Sequence, residues 1–253
     1  MTGRAPSGPV LFARYAYPPN ELGYCGADDA ATLLQRTAAA SDDVDLRRTL
    51  RTFEGAWPYL ELIAHANAIA DPLDPRVVTA YWIGNGLLDR VDARLMASSL
   101  EERFRPRLGG RWETLGAAAG AGARPHHSYH VLGVYPYVGL LRTGVVDEPL
   151  TVLDSCRIRW GRVVGLGIGW ADVLSRPLAW DGRRLTLGEE RVERVTTSLA
   201  GAGLARELSV GDWCSMHWSW VCDRLDATQV RELRRRTLTS LDVANDAPAA
   251  VLA

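Results

Sequence analysis

The sequence predicts an α+β fold in two parts: a mostly helical N-terminal domain over residues 1–147, then a small β-barrel with a C-terminal helix over 148–243 and a frayed tail over 244–253. Three observations predict it. Apolar residues in the first half recur at helical spacing, as in Leu46, Leu50, Phe53, Trp57 and Leu60, which step by four, three, four and three. From about residue 148 the period drops toward two, β-branched residues and Trp become common, and turn signals crowd together. Asp226 with Gln229 three residues on then forms a capping box ahead of a last amphipathic stripe, Val230, Leu233, Thr237 and Leu241.

The Tyr15–Gly26 stretch, Tyr-Ala-Tyr-Pro-Pro-Asn-Glu-Leu-Gly-Tyr-Cys-Gly, reads as a loop with its backbone fixed by prolines and glycines. It is either a binding surface or an arm laid across the helices. Residues 44–70 are expected to be mainly helical, with Pro58 forcing a kink or a boundary because it lacks a backbone donor. Asp74-Pro75 is an N-cap followed by proline at the first helical position, and starts a helix running toward Leu88 that Gly84 and Gly86 weaken. A third helix covers about 92–104, and the Ala/Gly tract 116–123 reads as a flexible loop. His126–Leu141 is aromatic and aliphatic and expected to be buried, as a strand or a helix broken at Pro136. Asp181-Gly182 sits between two short extended runs, a tight-hairpin signature. Short strands at such spacing imply a small barrel.

Composition narrows the function classes. Hydrophobic content of 47% in 253 residues is ample for a buried core. With 29 basic and 30 acidic residues the net charge is −1, so no overall field draws the chain to nucleic acid or to an anionic membrane. All basic side chains other than histidine are arginine. The first residues hold no signal-peptide core and no apolar run is long enough to span a bilayer, which leads us to expect a cytoplasmic protein. Cys25, Cys156, Cys214 and Cys222 are too few and too scattered for a disulfide scaffold, and no C-x-x-C pair is present. Cys214 and Cys222 are expected in the core.

Two motifs bracket the β-rich segment: Cys156-Arg-Ile-Arg-Trp-Gly-Arg-Val163 opens it and Gly211-Asp-Trp-Cys-Ser-Met-His217 closes it. This order, with the helix that follows, resembles the HypC/HupF family of [NiFe]-hydrogenase maturation chaperones over residues 150–241. The resemblance implies an OB-like barrel, and Cys156 and His217 as ligands of an Fe(CN)2(CO) fragment. It implies as partner a hydrogenase large subunit or a HypD-like maturation protein, and a chaperone or carrier rather than an enzyme. The chain departs from the family pattern in three ways: Cys156 is internal, Trp160 stands at the proline position, and Ser219-Trp220-Val221 replaces Gly-Phe-Ala. Ser198–Ala205 reads as an insertion. The whole chain also resembles an uncharacterised actinobacterial family associated with hydrogenase gene clusters.

A soft thiolate with a borderline imidazole suits low-valent iron, and two protein ligands leave the fragment releasable. Arg157 and Arg159 beside Cys156 would favour thiolate if they face it. Strand alternation predicts His217 on the more polar face, opposite Cys214 and Met216. In the first domain Cys25, His126, His127 and His130 are further candidate metal ligands, with His126 and His130 at i,i+4 spacing. Two alternatives stand beside the carrier: a metal- or thiol-dependent enzyme with its pocket in the helical domain, and an iron-free assembly scaffold.

Overall fold

In the computed structural model residues 5–26, 28–108, 122–205 and 207–247 are described, with backbone alone at 103–108. The chain mixes helix and strand: a helical N-terminal region, then a sheet, then a C-terminal helix. The tracts 116–121 and 248–253 lie outside the described residues.

Helix α1 (Gly8–Glu21) takes up most of the segment expected to be a loop, and every residue from Gly8 to Asn20 in it is buried. Only Leu22 onward leaves the helix. Pro18 and Pro19 lie inside this helix, near its C-terminal end, and leave the carbonyls of Arg14 and Tyr15 without their helical amide donors. Around α1 lie α2 (Ala30–Ala38), α3 (Val44–Leu50), α4 (Trp57–Ala66), α5 (Pro75–Trp82) and α6 (Ala93–Leu108). Asp29, Asp43 and Asp74 cap α2, α3 and α5 with side-chain bonds to backbone amides. The helix expected over 44–70 divides, and Pro58 falls in the first turn of α4, where its missing donor costs nothing. Gly84, at φ +100°, ends α5, and a 3-10 turn (Gly86–Arg90) follows.

The His126–Leu141 stretch is a broken helix. A short α-turn (His127–Tyr129) runs into a π-turn (His130–Val134), and Pro136 precedes α7 (Tyr137–Arg142). Helix α8 (Asp147–Cys156) ends on the cysteine, so Cys156 lies on a helix C-terminus and not in a strand.

Among the described residues nine strands follow: β1 (Arg159–Gly167), β2 (Trp170–Ser175), β3 (Leu178–Trp180), β4 (Leu185–Leu187), β5 (Arg191–Thr196), β6 (Ser198–Leu199), β7 (Ala202–Gly203), β8 (Trp213–His217) and β9 (Trp220–Leu225). Five of them pair in the order β1-β2-β5-β9-β8, and β8 pairs back with β1. All these pairings are antiparallel except β5 with β9, a single parallel bridge between Thr196 and Trp220. Gly161 sits where β1 crosses β2 too closely for a side chain: a Cβ there would lie 2.5 Å from Val173 Cγ1. The Asp181-Gly182 turn joins β3 to β4, and β6 with β7 forms the hairpin in the segment read as an insertion. Helix α9 (Ala227–Asp246) starts on the expected capping box. It also takes in Ala244–Asp246, expected to be frayed: Asn245 bonds the Leu185 backbone through both its amide oxygen and its amide nitrogen.

One core crosses the boundary placed near residue 148. Phe12 and Tyr15 of α1, Leu46, Leu50 and Tyr59 belong to the same buried cluster as Ile158, Trp220, Cys222 and Leu233. No described helix is long and apolar enough to cross a membrane.

Phe12, fully buried and in edge contact with Phe53 and Trp82, is near the middle of this core. Phe12→Ala is expected to lower stability by about 3–5 kcal/mol, read as a shift of the urea midpoint with an unchanged slope.

Candidate functional site

His217, Cys156 and His127 meet where the two halves of the chain join. One ligand atom from each lies within 4.8 Å of the others, and all three residues are buried. The sequence pointed to Cys156 with His217 on one side and to His127 on the other, and the fold brings them together. Each is delivered by a local feature that its sequence explains.

His217 is the last residue of β8. Its Nδ1 lies 2.6 Å from the carbonyl oxygen of Tyr15 in α1. A carbonyl can only accept, so the imidazole proton sits on Nδ1 and Nε2 carries a bare lone pair. That Nε2 is buried and has no hydrogen-bond partner among the described residues. The Tyr15 carbonyl is open to this bond because residue 19, whose amide would bond it in an α-helix, is proline. Tyr15 also holds the same strand through its hydroxyl, 2.8 Å from Ser215 Oγ.

Cys156 is brought to His217 by a backbone bond. The Trp218 amide donates to the Ser155 carbonyl at 2.8 Å, and the Trp218 carbonyl accepts from the Arg159 guanidinium, itself paired with Glu193. Trp218 is held at φ +51°, a left-handed conformation that an L-residue adopts only when its surroundings impose it. The Trp218 and Cys156 side chains line the same cavity. His127 follows the turn capped by His126, whose Nδ1 accepts from the Ser128 amide at 3.0 Å. Its ring is held at both ends, with Nε2 2.9 Å from the Cys156 carbonyl and Nδ1 3.2 Å from the Tyr81 hydroxyl.

The cluster lines a cavity of about 270 Å³, together with Cys25, His130, Tyr24 and Trp218. The walls are aromatic: Trp82 lies 4.6 Å from the His127 ring and 5.8 Å from that of His217, centroid to centroid, and the two imidazoles meet edge to face at 5.1 Å. Tyr24 stacks on Trp218 at 4.5 Å over the mouth. His130 faces the same cavity, with Nδ1 3.4 Å from the Tyr59 hydroxyl. His126 and His130 both lie outside the cluster, so the i,i+4 pair expected from spacing does not form it; His127, between them, does.

Two expectations about the electrostatics are corrected. His217 is fully buried and not on a polar face, because α1 covers that side of β8. Arg157 and Arg159 do not activate Cys156: Arg157 pairs with Asp154 and Arg159 with Glu193, and burial pushes the Cys156 thiol well above its usual range. Burial likewise holds His127 down at about 4 and His126 at about 3, and takes His217 well below the usual imidazole range. The uncomplexed cluster is thus neutral: a thiol beside two unprotonated imidazoles. Cys214 and Cys222 lie in the core as expected.

A family model described as "Family of unknown function (DUF6390)" matches residues 4–251, nearly the whole chain. No curated protein and no solved structure matches.

Since these imidazole pKa values are depressed on folding, the unfolded chain binds protons that the folded one refuses. Stability is full above about pH 6.5 and is lost as the pH falls toward 4 and 3, with a slope of about 1.4 kcal/mol per pH unit for each buried histidine. Denaturant midpoints measured from pH 7.5 to 5 should show this fall, and His126→Phe should remove one histidine's share. A second expectation concerns Pro19. Pro19→Ala supplies an amide that competes for the Tyr15 carbonyl, so nitrogen NMR of the His217 ring, all Nδ1–H in the parent, should show a mixture of tautomers while the helix persists.

Proposed function

The chain belongs to the DUF6390 family, and we propose that it is a metal carrier of the hydrogenase-maturation type, holding its cargo on Cys156 and His217, with His127 a third ligand once its Nδ1 exchanges the Tyr81 hydroxyl for the ion. The observation that carries this reading is the bare, buried Nε2 of His217 beside a thiol and a second imidazole. Leaving such an acceptor without a donor costs about 1–3 kcal/mol, and an ion bound there removes that cost. Neutral imidazole is the ligating form of histidine, and the hydrogen bond from the other ring nitrogen to a carbonyl is the usual way of orienting one.

One thiolate and two imidazoles form a soft-to-borderline donor set, suited to iron in a low oxidation state or to copper or zinc. Fewer than four protein donors leave positions for ligands the cargo brings with it. A cavity of about 270 Å³ is several times the volume of a water molecule, ~30 Å³, so cyanide and carbonyl groups have room. The apolar shell keeps water from competing. Cargo binding would release the Cys156 proton, and the cation would supply the charge that the arginines do not.

The resemblance to the HypC/HupF family rests on the same pair, Cys156 and His217. Gly161 and Gly211 in those motifs are accounted for by the fold: the first by strand packing, the second by a turn at φ +95°. Weight therefore falls on the two ligands. The strand order β1-β2-β5-β9-β8, returning to β1, supports the OB-like barrel. In this reading the helical half does more than recognise a partner, because α1 orients His217 and the histidine turn adds a third ligand. The partner is a hydrogenase large subunit or a HypD-like protein that takes the cargo at the Tyr24–Trp218 mouth. A thiol-dependent enzyme is less well supported: burial disfavours both the thiolate and the imidazolium that such a nucleophile pair requires.

Anaerobic titration with Co(II) should give one tight site with a sulfur-to-metal charge-transfer band. Cys156→Ser and His217→Gln should each weaken it by more than about 100-fold, beyond what loss of an outer-shell partner costs. Protein isolated anaerobically from its host should show cyanide and carbonyl infrared bands that Cys156→Ser removes. Equal binding by parent and variants, or none by the parent, would rule the carrier out.

A further inference from the structure

The cluster is buried, so an ion must come from somewhere. An outer groove of about 820 Å³ lies next to the inner cavity, and Tyr24, Cys25, Gly55, His130 and Tyr135 line both. Cys25 is the one thiol on that common wall. It is half-buried, whereas Cys156, Cys214 and Cys222 are buried.

Its position is built rather than incidental. The Asn20 side-chain amide donates to the Cys25 carbonyl at 2.8 Å, so the end of α1 holds the loop in place. Gly26, at φ +83°, lets the loop lie directly on Phe53: a Cβ there would be 2.5 Å from the Phe53 ring. Gly55 keeps the opposite side thin, since a Cβ on it would come within 3.1 Å of His130 Nε2. Beyond this wall the same cavity is lined by His217, whose buried Nε2 has no hydrogen-bond partner among the described residues. Cys25 and Cys156 line one and the same cavity.

A cation stripped of water in an aromatic passage is strongly destabilised unless a donor replaces each water it loses. With a thiol at the mouth and a thiol at the end, the ion need never be without sulfur. Resting on the metal-holding reading above, we infer that Cys25 is a transfer ligand, which takes a soft cation from the outer groove and passes it to Cys156. The exchange balances without any redox partner. Cys25 gives up its proton as the sulfur–metal bond forms. Cys156 loses its own proton when it captures the ion, and Cys25 is reprotonated as its bond to the ion breaks. Release runs the same steps backwards.

Stopped-flow mixing with Co(II) alone, on the full chain under anaerobic conditions, tests this. Cys25→Ser should slow both uptake and release by about tenfold or more, while the dissociation constant changes by less than about twofold. Cys25→His, which restores a ligand, should recover part of the rate. The transfer role is overturned if Cys25→Ser matches the parent in both rates, or if it loses affinity with uptake unchanged, which would make Cys25 a resident ligand. Cys156→Ser separates the two ideas. If it abolishes equilibrium binding while Cys25→Ser behaves as the parent, the carrier reading stands and only the transfer step fails. If the parent itself binds no Co(II), both fail together.

Discussion

The arrangement of the site depends on one hydrogen bond, between the imidazole of His217 and the carbonyl of Tyr15. Pro19 makes that carbonyl available, because it lacks the amide that would otherwise bond it within α1. What would be a defect in an isolated helix becomes the anchor for a residue some two hundred positions away. The bond sets the tautomer, the tautomer sets which nitrogen is bare, and the ring that carries it lines the cavity. The rest of α1 reinforces it: Arg14 pairs with Asp223 on β9, Glu21 accepts from the Trp220 indole, and the Tyr15 hydroxyl meets Ser215. The first helix is thereby a clamp across the β8–β9 hairpin, and the helical half and the strand-rich half share one core.

Trp218 completes the geometry from the other side. Its amide and carbonyl are tied to Ser155 and to Arg159, which places the end of α8 against the end of β8 and so sets a thiol beside an imidazole. Strain at its left-handed backbone, on the order of 1–3 kcal/mol, is tolerated because both bonds and the stack on Tyr24 hold it. The same residue lines the cavity, so the residue that positions Cys156 also walls the site.

Burial decides the charge state. Burial behind aromatic walls keeps the thiol protonated and the imidazoles neutral. Arginines adjacent in sequence do not change this, since Asp154 and Glu193 engage them first.

Much of the architecture was legible in the sequence by itself. The α+β order, the break at Pro58, the Asp74-Pro75 start, the Asp181-Gly182 hairpin and the Asp226–Gln229 capping box depend on interactions a few residues apart, and such interactions are written in local patterns. The same holds for the choice of Cys156 and His217, which rests on motif order. Helix α1 was hidden because its prolines and tyrosines imitate a loop; only packing on all sides reveals it as the most buried helix of the N-terminal half. His127 was visible as a candidate but not as the partner of Cys156 and His217, because spacing reports the faces of a regular helix and this turn is irregular. That Pro19 frees one carbonyl, that one histidine takes it, and that α1 closes over β8 were decided only by the tertiary structure, since each joins groups far apart in sequence whose meeting is set by the packing of the whole core.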